Sequence, residues 1–525
     1  MHWDLDLGKR RAVLLIVAVL TTGCIQVGPD YARPPVDTPA NWLEAQDPRL
    51  KTNTAEQRNW WKVFKDSTLD KLIDAAYQQN LPLQVAGVRV LEARAQLGVA
   101  IGELYPQTQQ AFGDLQYNRL SETGALASSS IFQYTQSQIG LTASWELDFW
   151  GKFRRAVESD DYSLLATLAN YDNTLVSLIA DVATDYVLIR TAEKRLDIAR
   201  RNVDIQQESL RIAEAKFKGG TTSLRDVEQA RTVLASTEAT IPALEIQLRQ
   251  STNALSVLLG RPPANLAGWL AGSSGIPVAP PYVAVGIPTD LLRRRPDVRQ
   301  AEFQAASQAA QIGVAKADLY PAFSLTGEFG FLATNVGNSS LANMFDWRSR
   351  FGTVGPTIRW NIFNYGQITN QVRVQDARFQ ELLIQYQNTV LTAQRDVEDN
   401  LIAFLKSEDR ARFLAESTDA AMRSMELAVL QYRQGITDFT TVLTAQQSLL
   451  TEQDNLANTL GDIARSLVGV YRALGGGWQI REGQDLVPEP VKKVMAERTD
   501  WGRLLSPSAY LPPPSPQHPI QAPDW

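Results

Sequence analysis

The chain repeats itself once, 215 residues apart. The segment AQLGVAIGELYP at 95–106 returns as AQIGVAKADLYP at 310–321, with eight of twelve residues identical. The same offset carries Trp145 onto Trp360, Gly151 onto Gly366, Gly220 onto Gly435, and Leu259 and Gly260 onto Leu474 and Gly475. A duplicated unit of about two hundred residues predicts one architecture made of two copies, and so overrides the several unrelated domains that 525 residues would otherwise suggest.

Within each copy the apolar period changes from helical to alternating. Between 152 and 218 there is no Pro, and no Gly until Gly219. Apolar or small residues there step by four and three: Leu164, Leu168, Tyr171, Leu175, Leu178, Val182, Ile189, Ala192, Leu196, Ala199, Val203, Leu210, Ala213 and Phe217, with polar Asp185 and Gln206 at two seam positions. A sustained heptad predicts a left-handed coiled coil, and at ~1.5 Å per residue this rod is about 100 Å long. After the turn at Gly219–Ser223 a second seam returns through Val227, Ala230, Leu234, Ile241, Leu244, Leu248, Leu255 and Leu258 to Gly260, where a helix stop is expected. The second copy of this hairpin runs from about 367 to 434, turns around Gly435 and returns to Leu474.

Upstream of each hairpin, 139–149, 323–331 and 353–362 alternate apolar with polar residues and predict strands with one face of each kind. Residues 108–119 alternate weakly and are assigned as a strand through the repeat. Aromatic residues near the strand ends (Trp145, Phe149, Trp150, Phe323, Trp360, Phe363 and Tyr365) suit a membrane interface, although a soluble antiparallel sandwich produces the same alternation. The polar stretches 121–130 and 335–350 read as loops between paired strands. Four strands cannot close a barrel alone, so strands that enter a membrane require several chains to share one barrel.

Catalysis lacks residues to perform it. His2 and His518 fall in the first and last segments, and Cys24 is the only cysteine, which leaves no histidine or cysteine nucleophile and no Cys/His metal site. Glu146 and Asp148 would share a solvated strand face. Net charge is −6 with both signs interspersed, which does not favour nucleic acid. The chain reads as no enzyme, without metal or cofactor.

The N-terminus reads as an export signal over 1–23: Lys9, Arg10 and Arg11, then an apolar run from Ala12 to Leu20 that is too short to span a bilayer. It resembles a bacterial lipoprotein signal, in which Cys24 becomes the acylated first residue. Thr21 stands where such signals usually carry Leu, and an ordinary signal peptide with an incidental cysteine is the alternative. Ile25 lacks the aspartate associated with inner-membrane retention, which points to the outer membrane.

With strands, glycine turns and hairpins in place, the chain resembles the outer-membrane efflux proteins, the TolC-like channels, and within them the lipoprotein branch that resembles OprM. The resemblance covers roughly 25–478 and rests on SWELDFWGKFRR at 144–155, DLLRRRPDVRQAE at 290–302, the two AQxGVA segments, YRQGITDFTTVLTAQ at 432–446 and ALGGGW at 473–478. It implies an α+β, mainly α fold. A trimeric outer-membrane β-barrel, four strands per chain, continues into a periplasmic coiled-coil barrel. The expected organisation is 1–23 signal peptide, 24–66 acylated strap, 67–107 helices, 108–150 strands, 151–260 hairpin, 261–321 connection and helix, 322–365 strands, 366–475 hairpin, and 476–525 equatorial end with a disordered proline-rich tail.

The same resemblance implies an exit duct for drugs or other small toxic compounds. Its implied partners are a homotrimer's other copies, outer-membrane lipid, a periplasmic adaptor and an inner-membrane pump, usually proton-driven and of the RND type. A type I protein secretion duct and a coiled-coil scaffold without a channel are the alternatives. Adaptor contacts map to the hairpin tips at Lys218, Gly219, Gly220, Arg433, Gly435 and Asp438. The periplasmic gate maps to Tyr432, Thr437, Thr440, Thr441, Thr444 and Gln447 facing Arg225 and Asp226. Threonines and a glutamine thus stand where family gates often carry charge, and Asp226 and Asp438 read either as cation-selecting groups or as tip caps or adaptor contacts.

Overall fold

The computed structural model describes residues 26–51, 57–121, 123, 133–273, 275–286, 288–337 and 339–506. The expected signal peptide, Cys24 and the chain beyond Ser506 lie outside the described residues. A two-residue strand β1 (Leu50–Lys51) precedes α1 (Ser67–Gln79) and α2 (Leu81–Gly102). The first strand pair, β2 (Thr108–Arg119) and β3 (Gln133–Leu147), leads into the long hairpin of α3 (Lys152–Lys218) and α4 (Leu224–Leu258). A connection holds α5 (Ala267–Leu270), β4 (Val283–Ala284) and α6 (Pro288–Arg294). The second copy follows as α7 (Pro296–Ala317), β5 (Ala322–Thr334), β6 (Arg350–Arg359), α8 (Gln367–Arg433) and α9 (Phe439–Ala473), and α10 (Glu489–Arg498) closes the described chain.

The duplication holds at the level of hydrogen bonds. Helices α2 and α7, α3 and α8, and α4 and α9 begin and end 215 residues apart. Trp145 Nε1 donates to the Leu104 carbonyl at 3.1 Å, and Trp360 Nε1 donates to the Leu319 carbonyl at 3.1 Å. Both long helices start from a left-handed glycine, Gly151 (φ 75°) and Gly366 (φ 83°), because the chain must turn sharply from strand into helix where a side chain would be strained.

The core lies around the middle of α3. Its expected seam is buried from Leu168 through Ala213 except at Asp185 and Leu210, which like Leu164 are half-buried, and Phe217 is exposed near the tip. Helix α8 fares differently, leaving Ile384, Leu391, Phe413, Leu427 and Leu430 exposed. A single chain therefore packs both sides of its first long helix and only part of its second.

The N-terminal strap and the C-terminal segment lock onto this core. Trp60 stacks on Tyr471 with ring centres 5.1 Å apart, and Arg33 forms a bidentate pair with Glu302 at 2.6 and 2.5 Å. Fully buried Asp172 accepts a bidentate pair from Arg481, including 2.9 Å from Nη2, with the Arg299 guanidinium 3.6 Å away. Burial pushes the Asp172 carboxyl up while these cations oppose the shift.

Two expectations need correction. The chain from 486 does not run straight into a disordered tail: Leu486, Val487 and Met495 are buried, α10 follows, and the Leu486 carbonyl fills the space where Gly87 lacks a side chain. Apolar residues at these positions dock this stretch on α2, which proline content further downstream obscures. The last strand spans Arg350–Arg359, earlier than 353–362, so Trp360 and Ile362 follow the strand instead of ending it.

Arg481→Ala leaves Asp172 buried with only the more distant Arg299. We expect a loss of about 3 kcal/mol in chemical denaturation, with earlier protease cleavage between 478 and 506.

Candidate functional site

The four long strands form one antiparallel sheet in the order β2-β3-β5-β6. Residues directly opposite one another share a face, so the register sorts the side chains. One face carries Leu115, Ile139, Leu141, Leu325, Phe329, Val354 and Ile358, through pairs such as Leu141 with Phe329 and Phe323 with Ile358. These residues are exposed in the single chain, Leu141 at 62% and Val354 at 81%. The other face carries Gln110, Thr142, Glu328 and Thr353 in one row and Ser144 with Thr326 in the next. That polar face is interrupted where Gly140 and Gly330 pair and the rings of Phe112 and Phe351 lie over them, and again at Leu332 opposite Gln138. Such an apolar face, with unpaired strands on both edges, cannot stand in water or in lipid as a monomer.

At the far end of the helices each tip is a glycine turn. Gly220 (φ 70°) and Gly435 (φ 77°) adopt the left-handed conformation, and Thr221 N–H and Ile436 N–H reach back to the Lys216 and Gln431 carbonyls, each at 2.9 Å. Each following helix then carries a carboxylate in or at its first turn, which in the second tip is the N-cap itself. Asp438 accepts from Thr441 N at 3.0 Å and Thr441 Oγ1 at 2.6 Å, which holds its carboxyl below the usual range. Asp226 accepts from Thr222 Oγ1 and from Ser223 Oγ at 3.2 Å.

The residues expected at the gate separate into two groups. Thr440, Thr441, Thr444, Gln447 and Arg225 are exposed and Thr437 is half-buried. The first three line a furrow of about 380 Å³ together with Ala421, Ser424, Asp438, Ala445 and Ser448. Thr444 Oγ1 donates to the Thr440 carbonyl on its own helix at 2.9 Å. Tyr432 and Asp226 are buried inside the chain. The Tyr432 ring packs on Phe439 at 5.0 Å, and burial pushes its phenol up. Lys218, Gly219, Gly220, Arg433, Gly435 and Asp438 all remain exposed, with Arg433 3.7 Å from Glu208 of α3.

Sequence reasoning missed the residues that join the two hairpins. Lys216 Nζ crosses from α3 to donate to the Tyr432 carbonyl at 2.5 Å and sits 4.2 Å above its ring. Arg195 binds Asp454 at 2.7 and 3.1 Å, Asn202 binds Gln453 at 2.9 Å, and Gln446 binds Ser209 at 2.6 Å. Only their polar type at core-facing positions, as for Gln206, could have signalled them. Asp185, the other polar seam position, is pushed up to about 6, first by burial and then by the charge of Asp181.

The family described as outer membrane efflux protein matches residues 72–261 and again 287–476, two blocks offset by the 215 residues of the repeat. The chain belongs to the outer membrane efflux protein family. It is 32% identical to the toluene efflux pump outer membrane protein TtgI of Pseudomonas putida over 484 residues, covering 90% of this chain and 100% of that protein. It is 28% identical to the probable outer membrane lipoprotein SilC of Salmonella typhimurium, covering 90% and 99%. Among solved structures it superposes on the outer-membrane channel OprN with a TM-score of 0.80 at 32% identity, covering 86% of this chain and 99% of that one.

The protein is an outer-membrane efflux channel, a duct and not an enzyme, and the family carries no cofactor. Channels of this family are trimeric and work with efflux pump systems. The apolar face of the sheet therefore meets lipid and the polar face lines the lumen.

Two measurements follow from these contacts. In Gly330→Val a Cβ would stand 2.5 Å from the Ile139 carbonyl oxygen and 2.9 Å from the Gly140 Cα, so the channel should fail to assemble, read as loss of the oligomer band and of β signal in circular dichroism. Asp185 has a folded pKa above its unfolded one, so its contribution to stability is full below about 4 and lost as pH rises through about 6. Asp185→Asn should flatten this decline and raise stability at pH 7 by about 1 kcal/mol after solvent screening, read as a higher melting temperature.

Proposed function

We propose that the chain acts as the homotrimeric exit duct of a tripartite system, passing small toxic or drug-like compounds from a proton-driven inner-membrane pump of the RND type, through a periplasmic adaptor, to the exterior. The observation that carries this reading is the joining of an open, lipid-compatible four-stranded sheet to two hairpins about 100 Å long. A duct of that length bridges the outer membrane and a remote pump. The efflux role of TtgI supports an apolar or amphiphilic cargo.

The exposed tip residues Lys218, Gly219, Gly220, Arg433, Gly435 and Asp438 supply the adaptor contact. The periplasmic gate uses the neutral stripe Thr437, Thr440, Thr441, Thr444 and Gln447 beside Arg225, with Tyr432 and Asp226 supporting it from behind. Closure is then by packing and neutral hydrogen bonds, each worth ~1 kcal/mol. Acylation of Cys24 anchors the chain to the outer membrane. Val27 N–H donates to the Trp150 carbonyl at 3.0 Å, at the root of the sheet, only three positions after Cys24 in the sequence. The lipoprotein name of SilC agrees with this anchor.

The native mass of the detergent-purified protein tests the assembly: three acylated chains are expected, and a monomer without bilayer conductance would overturn the reading. At the gate, Thr444→Ala should leave resting conductance nearly unchanged, whereas Thr444→Asp should add a charged ring and raise cation selectivity in reversal-potential measurements. An aspartate variant with unaltered selectivity removes Thr444 from the closure.

A further inference from the structure

The loop between β5 and β6 folds back over one face of the sheet. Met344 Sδ accepts from Ser137 Oγ at 3.4 Å, and the Phe345 ring lies 6.1 Å from that of Phe331. Phe331 pairs with Ile139 on one side and Arg350 on the other, so all three share the lipid-facing side of the sheet. Arg350 opens β6 at the end remote from the helices, and its guanidinium stacks over Trp347 at 4.3 Å. One N–H is used on the Trp347 carbonyl at 2.5 Å. Among the described residues, no carboxylate lies within salt-bridge distance of Arg350 or of its exposed neighbour Arg348. Trp347 and Phe345 are 66% and 71% exposed, which puts two large rings and an uncompensated cation at the outer rim of the lipid face.

We propose that Trp347 and Arg350 form a site for a phosphate-bearing lipid headgroup of the outer leaflet. The guanidinium presents a planar fork that matches a phosphate bidentately, and Trp347 fixes its plane while sitting where interfacial aromatics are favoured. Phe345, Met344 and Phe331 provide the apolar wall for the first methylenes of the acyl chains. An arginine on a lipid face costs ~2–4 kcal/mol at midplane and ~0–1 near the interface, so this placement is tolerated only at headgroup level, where an anion can meet it. The site occurs once per chain: the residue 215 positions before Arg350 is Thr135. It rests on the reading that the sheet spans the outer membrane.

The test is native mass spectrometry of the full-length protein in detergent. The added probes are bisphosphorylated lipid A, the same lipid with both phosphates removed, and phosphatidylcholine. One lipid A per chain is expected, with occupancy falling about tenfold on dephosphorylation or in Arg350→Ala, and less in Arg350→Lys, which keeps the charge but not the fork. Equal binding of the dephosphorylated lipid, or unchanged binding by Arg350→Ala, overturns the site. Displacement of lipid A by millimolar inorganic phosphate alone would mark a soluble-anion site and overturn the lipid assignment. Bilayer conductance of the same preparations separates the two failures: a protein that conducts yet ignores the lipid phosphates refutes only this site, and one that does not conduct refutes the membrane duct.

Discussion

Strands β2 and β6 each leave one row of backbone N–H and C=O groups unpaired within the chain, because the sheet order β2-β3-β5-β6 places them at its edges. These strands are 12 and 10 residues long, and groups left unpaired in hydrocarbon cost several kcal/mol each, so the open sheet cannot exist in the membrane as it stands. The same incompleteness recurs in the helices, where α8 leaves an apolar flank exposed while α3 is buried on both sides. Three copies remove both defects in one step: β6 meets β2 of the next copy, a twelve-strand barrel has no edge, and α8 gains the neighbour that its own chain lacks. The lumen follows from closure and needs no residue devoted to making it.

How legible this was depended on which physical signal each element writes into the sequence. The long helices carry heptads and glycine stops, and the repeat fixed their ends to the same offset that the hydrogen bonds of Trp145 and Trp360 later obey. Strands β3, β5 and β6 alternate visibly because a lipid face needs large apolar residues. Strand β2 did not, since its lipid-facing row includes Gln109 and Gly113 opposite Ala143 and Ile139, and only the repeat placed it. Long-range locks were invisible: Asp172 and Arg481 stand 309 positions apart, and nothing local marks either as the other's partner. The docked segment at 486–506 was hidden by the prolines that follow it.

At the tips, residue types were legible and directions were not. The resemblance mapped a threonine stripe onto the second hairpin but could not tell that Tyr432 turns inward onto Phe439, or that Asp438 caps its helix while Asp226 accepts from the Thr222 and Ser223 hydroxyls. The caps reveal how the copies relate. In the first tip the N-cap is Ser223 and the carboxylate, Asp226, stands three residues on. In the second the N-cap is Asp438 and the hydroxyl, Thr441, stands three residues on. Offsets of 215 carry Ser223 onto Asp438 and Asp226 onto Thr441, so the carboxylate–hydroxyl pair is kept with its positions exchanged. Each arrangement places negative charge where orphan N–H groups and the helix dipole favour it.

The exchange leaves the two tips with different surroundings. Glu228 is exposed in the first, while its counterpart Leu443 is buried with Val442, Phe439 and Tyr432 in a small apolar core. Lys216 reaches that core from the first hairpin and ends on the Tyr432 carbonyl and ring. The second tip is therefore clamped to the first by an apolar cluster and one charge-assisted hydrogen bond, the latter worth ~1.5–3 kcal/mol. Any movement that separates the two hairpins within a chain must release Lys216 and expose Phe439. A movement that keeps them together can proceed without that cost. Rotation of each chain's tip pair as one body is thus favoured over splaying of a single hairpin. The neutral threonine stripe, which forms no ion pair within the chain, adds nothing to oppose it.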